Sequence, residues 1–139
     1  MSELDDLYQA IILDHDRAPR NYGRLEAPSG AAEGYNPLCG DRLTVTVQVS
    51  DGRLAEVRFE ASSCAIARAS GSLMTLALCG QSLADARRLG QAFEALLRGP
   101  PGQPAAELGE LRALAGVRNF PGRIRCAMLA WQTLLEALP

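Results

Sequence analysis

Several familiar signatures are missing from this chain, and each absence removes a class of function. No apolar run approaches the roughly 20 residues a membrane-spanning helix needs. The opening Met1-Ser2-Glu3-Leu4-Asp5-Asp6 has neither the basic region nor the apolar stretch of a secretory signal. Basic surplus is lacking too: the formal net charge is −2, which argues against general nucleic-acid binding. There is no internal repeat, and histidine occurs once, at His15. None of the four cysteines forms a Cys-x-x-Cys pair, so spacing supplies no metal-clip signature. The expected compartment is the cytoplasm, with neither membrane nor nucleic acid as partner. Thiols stay reduced there, so these cysteines read as metal ligands or reactive groups, not as a disulfide framework.

What remains fits one domain spanning residues 1–139, long enough to bury a core without staples. Leu4, Leu7, Tyr8, Ile11 and Ile12 mark one face of a first helix, ended by Pro19. Residues 20–37 read as loop with one short strand near Ala32–Tyr35. Leu43, Val45, Val47 and Val49 alternate with polar residues as a half-buried strand, and Ala55, Val57 and Phe59 do the same in the next. A two-residue turn at Asp51-Gly52 sets Val47 opposite Glu56. A three-residue loop, Ser50-Asp51-Gly52, is therefore expected, pairing Val45 with Val57 and Val47 with Ala55.

Helices follow. Ser62 or Ser63 is expected to cap one that runs to about Leu78, and Ser82-Leu83-Ala84-Asp85 opens another that runs to about Arg98. The Gly99–Pro104 stretch breaks the chain, Leu108, Leu111 and Leu114 suggest a short helix, and a last helix spans about Arg123 to Leu138. Strands first and helices later predict an α+β fold, a small antiparallel β-sheet with helices packed on one face.

Three cysteines stand at element edges. Cys39 sits in a Pro/Gly-bounded loop, Cys64 at a helix N-terminus, and Cys126 in the first turn of the last helix. Asp41, two residues after Cys39, can add a fourth ligand. Taken singly, each thiol also reads as a small packed hydrophobe, and spacing leaves a shared metal site and that alternative equally open. Cys79, on the Leu76-Ala77-Leu78 run, is expected to be core packing. His15 is expected to be a hydrogen-bonded structural group, Arg17, Arg20 and Arg24 a solvated face, and Gly71 a point of close backbone approach.

Leu7-Tyr8, Asp14-His15, Pro19-Arg20-Asn21-Tyr22-Gly23, Asn36-Pro37-Leu38-Cys39-Gly40-Asp41, Cys64-Ala65-Ile66 and Cys126-Ala127 together resemble the iron–sulfur cluster assembly proteins of the IscU/NifU N-terminal family. Arg125, where the scaffold branch carries His before the last Cys, and the longer segment around Gly99–Leu114 resemble its SufU branch. That resemblance implies a zinc ion held by Cys39, Asp41, Cys64 and Cys126. It also implies a partner, a pyridoxal-phosphate cysteine desulfurase of SufS-like kind, from which the protein accepts persulfide sulfur for downstream cluster-assembly proteins. Such a protein is an accessory of the desulfurase more than an enzyme in its own right. Cys39, on its loop, is the expected sulfur acceptor, and Arg123 and Arg125 offset the anionic site. The alternative is a scaffold that assembles a [2Fe–2S] cluster on the same ligands; a third reading is a structural zinc module. Two residues depart from the family pattern: Ser63 stands where Gly is usual before the second Cys, and Asp16 where an aromatic is usual.

Overall fold

The first helix forms where the apolar spacing predicts it. In the computed structural model, which describes residues 3–100 and 105–139, α1 spans Glu3–Arg17. Glu3, Asp5 and Asp6 lie in its first turn and Arg17 in its last, each charge complementing the helix dipole. The buried stripe is narrower than expected. Leu7 is exposed, Ile11 and Ile12 are half-buried against the core, and His15 is buried.

Three antiparallel strands follow in spatial order β1-β2-β3: β1 (Gly30–Asn36), β2 (Asp41–Ser50) and β3 (Arg53–Ser62). After them come α2 (Ala65–Leu78), α3 (Leu83–Arg98), a 3-10 segment (Ala106–Asn119) kinked at Gly109, and α4 (Pro121–Ala137). The architecture is the expected α+β one, a small sheet with its helices on one face. α4 crosses β1 and β2, α2 packs on β3 and α4, and α1 lies along α2. Of the Gly/Pro stretch expected to break the chain, residues 101–104 lie outside the described residues. No helix among the described residues is long and apolar enough to cross a membrane.

The expected hairpin register is wrong. Asp51 and Gly52 form a two-residue turn with φ of 54° and 73°, the left-handed pair that matches strand twist. Ser50 pairs Arg53 and Val49 pairs Leu54; the register then shifts, so that Val47 meets Val57 and Val45 meets Phe59. Ala55 is the extra residue of this bulge and points to solvent, while Leu54 takes the inward place expected of it. The clash of Val47 with Glu56 that argued for a longer loop is removed by the bulge instead.

Two glycines of β1 set the distance between layers. A Cβ on Gly30 would meet the Ala137 carbonyl oxygen at 1.8 Å, and one on Gly34 the Thr133 hydroxyl oxygen at 2.0 Å. Without side chains at these two positions, β1 lets α4 seat directly on it. Gly71 on α2 is the close approach anticipated from sequence: a Cβ there would lie 2.8 Å from the Phe59 ring. Helix starts divide. Ser82 caps α3 by accepting the Asp85 N–H at 3.1 Å, as predicted, but neither Ser62 nor Ser63 caps α2, whose N-cap is Cys64 itself.

His15 ties three elements together, as a structural histidine should. Its Nδ1 lies 2.6 Å from Ser72 Oγ on α2, and that oxygen accepts the Arg20 N–H at 2.8 Å. The hydroxyl hydrogen is then free to donate to Nδ1, which puts the ring proton on Nε2, 3.7 Å from Glu110 Oε2 on the 3-10 segment. Burial first, and then the Arg20 charge, hold the His15 pKa below its ordinary value, against the opposing pull of Glu110 and Asp14. Arg20 itself pairs with Asp14 at 2.6 Å and Arg24 with Glu60 at 3.3 Å on the exposed face.

A neutral buried His15 has a signed consequence. The unfolded chain takes up a proton near about pH 6.5, while the folded chain resists until lower pH. This contribution to stability is therefore complete above about pH 6.5 and is lost as pH falls through the folded value. Urea unfolding of the parent should weaken between about pH 7.5 and 5.5, and His15→Gln should flatten that decline. Equal slopes would mean that His15 is not held neutral.

Candidate functional site

The connection between β1 and β2 carries the first two candidate ligands. Asn36 Oδ1 accepts the Leu38 N–H at 3.2 Å and its backbone oxygen accepts the Gly40 N–H at 2.8 Å, an Asx-type turn stapled at its base. Gly40 has φ of +72° with open space where a Cβ would stand, so its backbone conformation, not crowding, calls for glycine. This turn leaves Cys39 exposed beside Leu38, itself 70% exposed, and buries Asp41 to 1% at the start of β2.

Asp41 then reaches the third ligand. Its Oδ1 accepts the Cys64 N–H at 3.0 Å, and Oδ2 lies 4.0 Å from Cys64 Sγ. The N-cap thiol makes no capping bond to its own helix, so the Asp41 carboxylate is the anion placed at the start of α2. Cys126 closes the group from α4. Its Sγ lies 3.3 Å from Cys39 Sγ and 3.7 Å from Asn36 Nδ2, which donates to it. Because α4 begins at Pro121, Cys126 belongs to its second turn and not to the first turn as expected; it is presented from the helix's buried side.

Cys39 Sγ, a carboxylate oxygen of Asp41 and Cys126 Sγ all lie within 4.8 Å of one another, and Cys64 adjoins them through Asp41. Four residues separated by up to 87 positions thus meet at one pole. The donor set fits a cation of intermediate softness. Metal–sulfur bonds of about 2.3 Å put tetrahedral ligands about 3.8 Å apart, and the 3.3 Å and 4.0 Å separations bracket that value. Burial pushes the Cys126 thiol well up, reinforced by its hydrogen bonds with Cys39 and Asp41 and by the nearby Cys64. The same sulfurs, Cys126 first, raise the Arg123 pKa, so this exposed guanidinium lies near the thiols. Arg125, one residue before Cys126, is exposed, and no contact joins it to them among the described residues.

Cys79 corrects the expectation of core packing. α2 ends at Leu78, which takes the core position, and Cys79 becomes the exposed C-cap whose thiol donates to the Ala55 carbonyl at 3.5 Å. Sequence reasoning also passed over Asn36, which is 4% exposed and both shapes the Cys39 turn and touches the Cys126 sulfur. An Asn immediately before Pro, at the mouth of a loop that holds a thiol, was the available signal.

Comparison with known proteins gives a consistent picture. The NifU-like N terminal domain model matches residues 7–137. The chain is 38% identical over 138 residues to the iron–sulfur cluster assembly scaffold protein IscU of Streptococcus pyogenes serotype M1, covering 99% of this chain and 86% of that one. It is 37% identical over 133 residues to the zinc-dependent sulfurtransferase SufU of Bacillus subtilis, covering 96% and 90%. Among solved structures, a putative iron–sulfur cluster assembly scaffold protein for the SUF system from Fervidobacterium islandicum superposes with a TM-score of 0.87 at 28% identity, covering 100% of this chain and 96% of the other.

The thiol geometry can be read by chemistry. Metal-free protein treated with a mild dithiol oxidant should link Cys39 to Cys126, the pair already 3.3 Å apart, in preference to any bond involving Cys64 or Cys79. Without oxidant, Cys79 should alkylate quickly and Cys126 slowly. Peptide mapping reads both; a dominant Cys64–Cys126 bond would contradict the arrangement.

Proposed function

The chain belongs to the NifU-like N-terminal domain family, and from that premise we propose that it serves iron–sulfur cluster assembly as a scaffold, holding a [2Fe–2S] cluster as cargo on Cys39, Asp41, Cys64 and Cys126. The observation that carries this reading is the convergence of two thiols and a carboxylate within 4.8 Å, with a third thiol adjoining. Thiolates are the natural ligands of iron–sulfur clusters, and a carboxylate in place of a fourth gives a weaker hold suited to release. Relatives and a structural neighbour described as scaffolds shift the emphasis here from the zinc reading that sequence alone put first.

The residues divide the work. Cys126, buried on α4, and Cys64, at the head of α2, are the fixed donors. Asp41, buried and bonded to the Cys64 N–H, is the weaker donor, an oxygen among sulfurs. Cys39, exposed on its turn, is placed to meet an incoming partner, and Arg123 offsets negative charge at the rim. The sulfur comes from a pyridoxal-phosphate cysteine desulfurase of SufS-like kind, and the cargo passes to downstream assembly proteins. The chain turns over no substrate on its own.

A second reading is favoured by specific features: Arg125 in the position before Cys126, the added 3-10 segment, and nearly equal identity to a zinc-dependent sulfurtransferase. In it the chain is a SufU-like sulfur acceptor, and the same four side chains would hold Zn²⁺, which keeps thiols deprotonated without redox chemistry. Cys39 thiolate attacks the outer sulfur of the desulfurase persulfide; the S–S bond breaks, the desulfurase thiolate leaves, and the persulfide now sits on Cys39.

Anaerobic reconstitution with desulfurase, ferrous iron and excess cysteine, whose thiol also supplies the electrons that reduce persulfide sulfur to sulfide, separates the two. Scaffold function gives a coloured protein with iron and sulfide in equal amount. A colourless protein with one zinc, desulfurase stimulation and a persulfide on the Cys39 peptide would replace it with the acceptor reading. Asp41 offers a further check. Asp41→Asn keeps an oxygen for the Cys64 N–H, so unfolding free energy should change by less than about 1 kcal/mol, while metal or cluster retention falls. Undiminished retention would remove Asp41 from the ligand set.

A further inference from the structure

The peptide in front of Cys64 is held by a side chain that the site chemistry does not otherwise use. Arg68, one turn into α2, donates from Nη2 to the Ser63 carbonyl at 3.1 Å and from Nη1 to Asp16 Oδ1 at 2.6 Å. Its backbone N–H also donates to the Cys64 carbonyl at 3.2 Å. Ser63 Oγ donates to that same carbonyl at 3.0 Å, and Asp41 accepts the Cys64 N–H. The peptide before the Cys64 Cα is therefore held at both ends, its N–H by Asp41 and its carbonyl by the Arg68 side chain.

The pair is also shielded. Arg68 and Asp16 side chains are 29% and 26% exposed, against 52% and 46% for Arg88 and Glu107. Charge-assisted bonds lose less to water and salt in such a setting. Asp16 stands in the last turn of α1, so its carboxylate fixes one arm of the guanidinium and leaves the other aimed at the Ser63 oxygen. Only a planar fork meets both acceptors together; a lysine ammonium on its flexible stem meets one at a time.

We propose that Arg68, oriented by Asp16, is a positioning residue that fixes Cys64 as the rigid thiol of the site, by bridging the end of α1 to the Ser63 carbonyl. The consequence is a division between thiols: Cys64 is clamped through its backbone from two elements, whereas the Cys39 turn is held at its base by Asn36. The clamp itself rests on geometry alone; its meaning for metal or cargo rests on Cys64 being a ligand, as proposed above.

The test uses metal-free protein and measures iodoacetamide alkylation of Cys64 and Cys39 separately, by peptide mass spectrometry. Rates taken across a pH series separate thiolate fraction from access, and Arg68→Lys preserves the local charge. Arg68→Lys and Asp16→Asn should each speed Cys64 alkylation at full ionisation by roughly three- to tenfold, the scale of one charge-assisted hydrogen bond. Cys39 should stay within about twofold of the parent, and Arg88→Lys, which perturbs a more exposed pair, should change neither. An unchanged Cys64 rate in both variants overturns the proposal, as does a rise of Cys39 in step with Cys64, which would mark general loosening. If Arg68→Lys fails to fold, Asp16→Asn decides on the same criteria. Zinc-loaded protein then separates the two claims. Faster zinc loss to a chelator in the variants supports both, whereas unchanged loss beside faster Cys64 alkylation keeps the clamp and removes Cys64 from the ligand set.

Discussion

The Asp41 carboxylate is almost wholly buried and accepts the amide hydrogen of Cys64, so a single side chain fastens the start of β2 to the start of α2. A buried carboxylate is costly unless its oxygens are engaged. One oxygen has the amide at the head of a helix, where the macrodipole favours negative charge. The other faces the Cys64 sulfur at 4.0 Å, beside the group that Asp41 forms with Cys39 and Cys126. Without Asp41 the sheet and α2 would still pack through Phe59 and Gly71, but nothing would fix the Cys64 amide against the loop that carries Cys39.

The third element, α4, reaches this point for a different reason, and the reason lies in β1. Gly30 and Gly34 carry no side chains where α4 crosses, and any Cβ there would collide with Ala137 or Thr133. α4 therefore sits closer than strands with ordinary side chains allow. That closeness brings a thiol on a buried helix face to within 3.3 Å of one on an exposed turn. Layer spacing, a packing property, thus sets a ligand distance, a chemical one. The same helix turns Arg123 toward the sulfurs, so charge compensation comes from the element that supplies the most buried of them.

Much of this was legible in the sequence because the signals were local. The strand over residues 43–49, the Ser82 cap and the extent of α1 before Pro19 depend on near neighbours, and the structure shows all three. The hairpin register was misread because a bulge has no signature of its own. Asp51-Gly52 spoke for the tight turn, the Val47–Glu56 clash spoke against it, and one extra residue, Ala55, satisfied both. Cys79 was misplaced because α2 ends at Leu78, where the sequence puts its end, so Cys79 falls on the exposed cap and not on the buried face. The meeting of Cys39, Asp41, Cys64 and Cys126 could not be read from spacing at all, since it is made by the packing of three separate elements. It was the motif resemblance that grouped them.

Asp16 and Ser63, read from sequence as unrelated departures from the family the chain resembles, both meet one guanidinium, that of Arg68, Asp16 through its carboxylate and Ser63 through its backbone carbonyl. Serine before Cys64 gives up the freedom a glycine would have there, and the Ser63 hydroxyl adds a bond to the Cys64 carbonyl. A charged residue at Asp16 supplies the partner that an aromatic ring would not. Both changes act in one direction, toward a Cys64 peptide with fewer accessible conformations. A site that must exchange its contents benefits from such asymmetry, because ligand exchange at one exposed thiol keeps its geometry only if the others hold still. On the proposed reading that stillness comes from outside the ligand set, from a helix end and a carbonyl, while the exposed thiol stands on a turn closed by Asn36 and Gly40.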